Sequence, residues 1–349
     1  MNKVSILPAP AVAGPRPVRR TSTLGWLAFA ALLFLVPLVF PGYRTFQFTG
    51  VLTYAIAALG LNLITGYVGQ VSLGHNMFFA LGAYTAILTH TLLGVNPPLS
   101  VCIAALVCFG AGYLAGFPAK RLRGLYLALI TLILAVSVVP LVKHFKSYTG
   151  GAAGLTFDKP DPPAWFTLGQ DAWLYYFVLL FAIVVFWAVR NFVAGSTGRA
   201  LAGIRGGELA ASSMGVDVNH LKVVVFGTGS MLGGVGGALA AYTIGFIGPD
   251  SFTLMLSIGF LASIVVGGLG TISGAVVAGL FLQFVPSYAS DISQALAGAV
   301  YGGILIVCMF LMPRGITGSL IKLLDARREA SKHPSTQGVP SSSRPNPQE

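Results

Sequence analysis

Apolar residues run along this chain in blocks separated by short polar or glycine-rich breaks. Blocks of about 17–25 residues are long enough to cross the hydrocarbon layer of a membrane as helices. Ten are predicted, at 24–40, 48–66, 76–93, 99–117, 124–142, 172–190, 223–245, 251–267, 272–289 and 293–312. A polar, Gly-rich stretch precedes 76–93, so that block is predicted as either a full span or a broken, re-entrant one. Broken backbone at membrane depth is tolerated only where protein or a cavity lines it.

Composition narrows the class. The chain has 349 residues, 55% of them hydrophobic and only 9% charged, against about 25% charged in a typical soluble domain. So few charges could not cover the surface of a soluble enzyme or a nucleic-acid binder. No Asp, Glu, Lys or Arg occurs from Thr45 to Ala119. The 44 glycines suit closely packed membrane helices. The fold class is therefore an all-α polytopic membrane protein.

The formal charge of +11 is placed around the spans rather than in one patch. With ten spans and the N-terminus in the cytoplasm, 17 Lys and Arg fall inside. Only 4 (Arg44, Lys143, Lys146 and Lys159) fall outside, while acidic residues divide equally. This asymmetry predicts that both termini are cytoplasmic. Residues 1–23 read as a basic tail, and no small-residue cleavage site follows 24–40, which is predicted to stay as a helix. The membrane domain is placed at 24–320 and a polar, disordered cytoplasmic tail at 321–349. Two connections are long enough to carry function, an outer loop at 144–171 and an inner loop at 191–222. In the inner loop, apolar Leu201, Ile204, Leu209 and Met214 alternate with charge, which predicts short amphipathic helices packed under the membrane domain.

No motif for covalent chemistry is found. The chain has no phosphate-binding G-x-x-x-x-G-K-[ST], no H-E-x-x-H and no G-x-S-x-G. Its five histidines are scattered, and Cys102, Cys108 and Cys308 sit in apolar runs as buried thiols, so neither catalytic nor metal-binding residues are expected. Glycines recur every fourth residue at Gly229, Gly233 and Gly237, and in the pairs Gly112/Gly116, Gly270/Gly274 and Gly298/Gly302. Such spacing permits close helix crossing, and Gly267 and Gly268 are read in the same way; lining a pathway is the alternative. Between Gly60 and Asn76 several polar side chains gather among helix-breaking glycines. Polar groups at membrane depth are costly and tend to face cavities. Asn62, Gly69, Gln70, Ser72 and His75 are candidates for a pathway or gate. The alternative is that Asn62 and Gln70 merely satisfy exposed backbone groups.

Five segments carry a family resemblance: Gly60–His75, Lys120–Leu129, Thr149–Leu155, Glu208-x-Ala210-Ala211-x-x-x-Gly215, and Val266–Gly274 with Met312–Gly315. In order, they resemble the branched-chain amino acid permeases of ABC importers, and specifically the larger of the two permease subunits. The resemblance implies the ABC importer permease fold in a bacterial inner membrane. It implies a second, similar permease, two cytoplasmic ATPase subunits and a periplasmic or lipid-anchored binding protein. ATP and Mg would sit on the ATPases, with no cofactor on this chain. Substrates would be branched-chain or other amino acids, amides or urea, moved by alternating access. Arg199, Ile204, Arg205, Glu208, Ala210, Ala211 and Gly215 would form the contact with the ATPase. Gly203, Gly206 and Gly207 depart from relatives and predict a coupling helix that starts late or needs its partner to order it. An ion-coupled carrier would want an intramembrane acid, and Asp250 and Asp291 lie at predicted span ends. A membrane enzyme would want clustered Asp, Glu or His, and a passive channel would leave the inner loop unexplained.

Overall fold

The computed structural model describes residues 33–40, 42–122, 124–163, 166, 168–292, 297–311 and 315–319. The two predicted tails, 1–23 and 321–349, lie outside the described residues, as do residues 24–32 of the first predicted span. Helix α1 (Tyr43–Leu61) continues directly into a π-helical stretch, Asn62–Val68. It is followed by α2 (His75–Leu93), α3 (Pro97–Ala119), α4 (Leu125–His144) and α5 (Gln170–Ala194). Two short helices, α6 (Ser196–Gly206) and α7 (Glu208–Ser213), lead into α8 (Val218–Ile244). Then come α9 (Leu254–Gly267), α10 (Ile272–Ile292) and α11 (Ala297–Leu311).

Among the described residues, eight helices are long and apolar enough to cross a membrane. They match the predicted blocks from 48–66 to 272–289, which makes the protein multi-pass and all-helical. The block 293–312 corresponds to α11, whose flanks 293–296 and 312–314 lie outside the described residues. Of the two readings of 76–93, the structure favours the unbroken one: α2 is continuous, and the irregular stretch lies just before it, at residues 69–74.

The bundle is organised around α8, which packs most extensively against α3, α2 and α1. Glycine makes those approaches possible. A Cβ at Gly237 would lie 1.9 Å from the Phe79 carbonyl oxygen of α2, and one at Gly229 2.6 Å from the Gly60 carbonyl oxygen of α1. At Gly233 it would meet the His75 ring at 2.9 Å. On α3, Gly112 and Gly116 face Ser230 and Val223 of α8. The reading of Gly268 and Gly270 as helix-face packers is corrected. Both have positive φ, +120° and +74°, and they form the turn between α9 and α10. Gly298 and Gly302 have nothing within 4 Å of a Cβ position among the described residues.

These contacts define two ends. At one, the C-terminus of α3 meets the N-terminus of α8 through Gly116 and Val223. At the other, the Tyr242 hydroxyl near the C-terminus of α8 pairs with Ser100 and donates to the Ala86 carbonyl at 3.3 Å. There the loop after α4 is fastened by β1 (Leu155–Thr156) pairing antiparallel with β2 (Phe246–Ile247).

Gly237→Ala drives a methyl into the α2 backbone, so it is expected to destabilise the folded protein by about 2 kcal/mol or more. Gly110→Ala in α3 faces open space and is expected to be neutral or stabilising by up to about 1 kcal/mol. Thermal unfolding of both variants in mild detergent checks this. Equal midpoints would refute the close-packing account.

Candidate functional site

The polar stretch of α1 is built around a turn of π-helix, an element often found at functional positions. Gly66 allows it. A Cβ there would sit 2.0 Å from Asn62 Oδ1 and 2.5 Å from the Gly270 amide nitrogen. Without that methyl, Asn62 reaches the α9–α10 turn. Its Nδ2 donates to the Thr271 carbonyl at 2.7 Å, and its Oδ1 accepts from the Gly270 N–H at 2.9 Å. Asn62 thus commits its amide to backbone groups.

The π-helix ends at Gly69, whose φ of +84° suits a residue without a side chain. The chain then turns back into the bundle without regular structure until His75. His75 Nε2 donates to the Ala57 carbonyl at 2.7 Å. Ala57 precedes the whole π-helical stretch on α1, so the segment runs back along that helix into the bundle. Six residues of extended chain can span about 20 Å. Neighbouring helices meet its backbone groups. The Leu73 N–H donates to Thr131 Oγ1 of α4 at 2.9 Å, and Ser257 of α9 donates to the Leu73 carbonyl. Asn76 anchors the start of α2, donating to the carbonyls of Ala135, Phe252 and Thr253 at 3.0–3.2 Å. Gln70 and Ser72 are buried, and their side-chain polar atoms have no partner among the described residues.

The inner loop forms two short helices. The expectation of a late start is corrected: α6 begins at Ser196 and runs through Gly203 and Gly206, and the break falls at Gly207. Leu201 and Ile204 are buried, whereas Arg199 is exposed. Arg205 turns inward, and its guanidinium donates to the Gly66 carbonyl of the π-helix. In α7, Ala211 is buried and Ala210 exposed. Gly215 ends this unit with a φ of +84°. The amphipathic pattern does not continue from α6 to α7. The break at Gly207 reorients the chain, so Leu209 and Met214 are 81% and 85% exposed. Glu208 forms an ion pair with Lys222 at the base of α8, which is only 2% exposed.

Sequence reasoning missed Lys222, Thr131, Ser257 and Thr271 as parts of this region, and it placed Asn76 in the polar stretch without giving it a role. Of the four, only Lys222 carried a signal, a lone cation at the edge of an apolar block. The other three are ordinary polar residues whose partners are distant in sequence. Among the described residues, no three His, Cys, Asp or Glu side chains gather in a way that could hold a metal ion. Asp250 and Asp291 are exposed at helix ends.

The site is thus a broken polar segment inside an apolar bundle of membrane-length helices, tied to a helix pair at one end. The class is a multi-pass membrane permease. Residues 45–309 match the family described as the permease component of the branched-chain amino acid transport system, and the chain belongs to that family. It is 29% identical over 303 residues to the high-affinity branched-chain amino acid transport system permease protein LivM of Escherichia coli K12, covering 80% of this chain and 71% of the relative. It is 30% identical over 292 residues to the LivM of Salmonella typhimurium, covering 77% and 68%. Permease protein BraD of Pseudomonas aeruginosa is 27% identical over 293 residues, covering 76% and 92%. No solved structure matches the chain.

Removing one partner of a buried ion pair leaves the other charge desolvated. Glu208→Gln is therefore expected to destabilise the protein by about 3 kcal/mol, with Glu208→Gln/Lys222→Met recovering most of the loss. Unfolding midpoints of the single and double variants measure the coupling. A double variant no more stable than Glu208→Gln would rule it out.

Proposed function

We propose that this chain is the larger permease subunit of an ATP-driven importer for branched-chain, hydrophobic amino acids in a bacterial inner membrane. It works with a second permease, two cytoplasmic ATPase subunits that bind ATP and Mg, and a binding protein on the outer side. Hydrolysis belongs to the ATPases, and this chain contributes the membrane pathway. Family membership and the names of the relatives support the substrate class and the assembly.

The observation that carries this reading is the α6–α7 pair. It projects Leu209 and Met214 into solvent while its inner face is fastened to the bundle by Arg205 and Glu208. Two exposed apolar side chains on a polar helical elbow suit insertion into a groove on an ATPase. The excess of Lys and Arg in the loops at that end supports a cytoplasmic location for the pair. The buried, unpartnered Gln70 and Ser72 suit transient contacts with the ammonium and carboxylate of a passing zwitterion.

Affinity capture of the tagged chain from native membranes tests the assembly. An ATPase and a second permease are expected to copurify. Leu209→Asp/Met214→Asp is expected to reduce the bound ATPase, and uptake of radiolabelled leucine, at least tenfold without changing the chain's membrane level. Recovery of the chain alone, confirmed by crosslinking in intact membranes, would overturn the reading.

A further inference from the structure

Arg205 lies where three elements meet. It extends from α6, and its guanidinium donates to Gly66 in the π-helix. A Cβ at Gly270, in the α9–α10 turn, would lie 2.9 Å from Arg205 Nη1 and 3.1 Å from the Gly66 carbonyl oxygen. A Cβ at Gly69 would lie 3.7 Å from Arg205 Cγ. The Arg205 side chain therefore bonds the π-helix and lies beside both Gly69, which ends it, and the turn held by Asn62. Immediately beyond Gly69 come Gln70 and Ser72, and then Leu73, held between Thr131 and Ser257.

We propose that Arg205 is a positioning residue that carries displacement of the α6–α7 pair directly into the non-helical segment 69–74, so that the ATPase side sets the location of Gln70 and Ser72. This rests on the functional reading above and gives Arg205 a role facing the permease interior rather than the ATPase. A guanidinium suits the task because its planar fork can hold a carbonyl while its stem packs against neighbouring backbone. The π-helix is a suitable receiver, because its seven residues depart from the α-helical hydrogen-bond pattern of α1 and end at an irregular segment. Gly69 supplies a pivot that tolerates left-handed backbone.

The test uses the assembled complex in membranes, with Val71→Cys as reporter in a background lacking Cys102, Cys108 and Cys308. With Arg205 present, the rate of N-ethylmaleimide labelling is expected to change at least threefold between nucleotide-free and vanadate-trapped complexes. With Arg205→Met, in complexes recovered with the ATPase bound, the rate is expected to stay constant between the two states and uptake per ATP hydrolysed to fall at least tenfold. A merely structural residue would lower hydrolysis and uptake together, and that outcome overturns the proposal. So does a nucleotide-dependent labelling change that survives in Arg205→Met, or one that is absent with Arg205 in place and the ATPase bound. If Arg205→Met does not accumulate, Arg205→Lys decides. It keeps the charge without the fork, and it is expected to show no more than half the labelling change. A full change overturns the proposal. If the parent chain binds no ATPase, the functional reading itself fails and the linkage falls with it.

Discussion

The constraint on which the rest depends is that backbone N–H and C=O groups inside a membrane must find partners within the protein. Helices meet it internally, but residues 69–74 do not form one. Their placement therefore requires side chains from elsewhere. Thr131 and Ser257 serve Leu73, while Asn76 and His75 fix the helix that follows. Several helices must hold one relative arrangement for these bonds to exist together. A segment satisfied in this way is specified in position by side chains of other helices rather than by its own backbone ladder.

That arrangement is set by how closely α8 can approach its neighbours. Lipid chains are as apolar as the helix surfaces, so packing contacts and not water exclusion hold such bundles together. Gly229, Gly233 and Gly237 put bare backbone against α1 and α2, and Ser230 meets Gly112 on α3. The His75 ring can reach Ala57 only because Gly233 leaves it room. Packing and the polar site are thus one problem, and glycines solve both parts.

The charged end follows the same logic. Lys222 is buried at the foot of α8, a location that a lone ammonium would not tolerate. Glu208 meets that need, and in doing so it fixes α7 to the bundle. Arg205 fixes α6 through a backbone carbonyl. Two charges facing inward leave the apolar Leu209 and Met214 to face outward, the reverse of what an amphipathic pattern normally produces.

The sequence by itself determined that the chain is a multi-pass helical membrane protein. Runs of apolar residues report their environment locally, and no later contact can change the length needed to cross a bilayer. It also located the polar break between Gly60 and Asn76 and the helical inner loop, because glycine clusters and charge spacing are local signals too. Only the tertiary structure decided the rest. It showed that α2 is whole and the break precedes it, and that Gly268 and Gly270 form a turn. It also gave Asn62 to a turn some 209 residues away and Arg205 to Gly66. Hydrogen-bond partners of this kind leave no trace in local pattern, because they are chosen by where packed helices bring side chains and not by how residues are spaced along the chain.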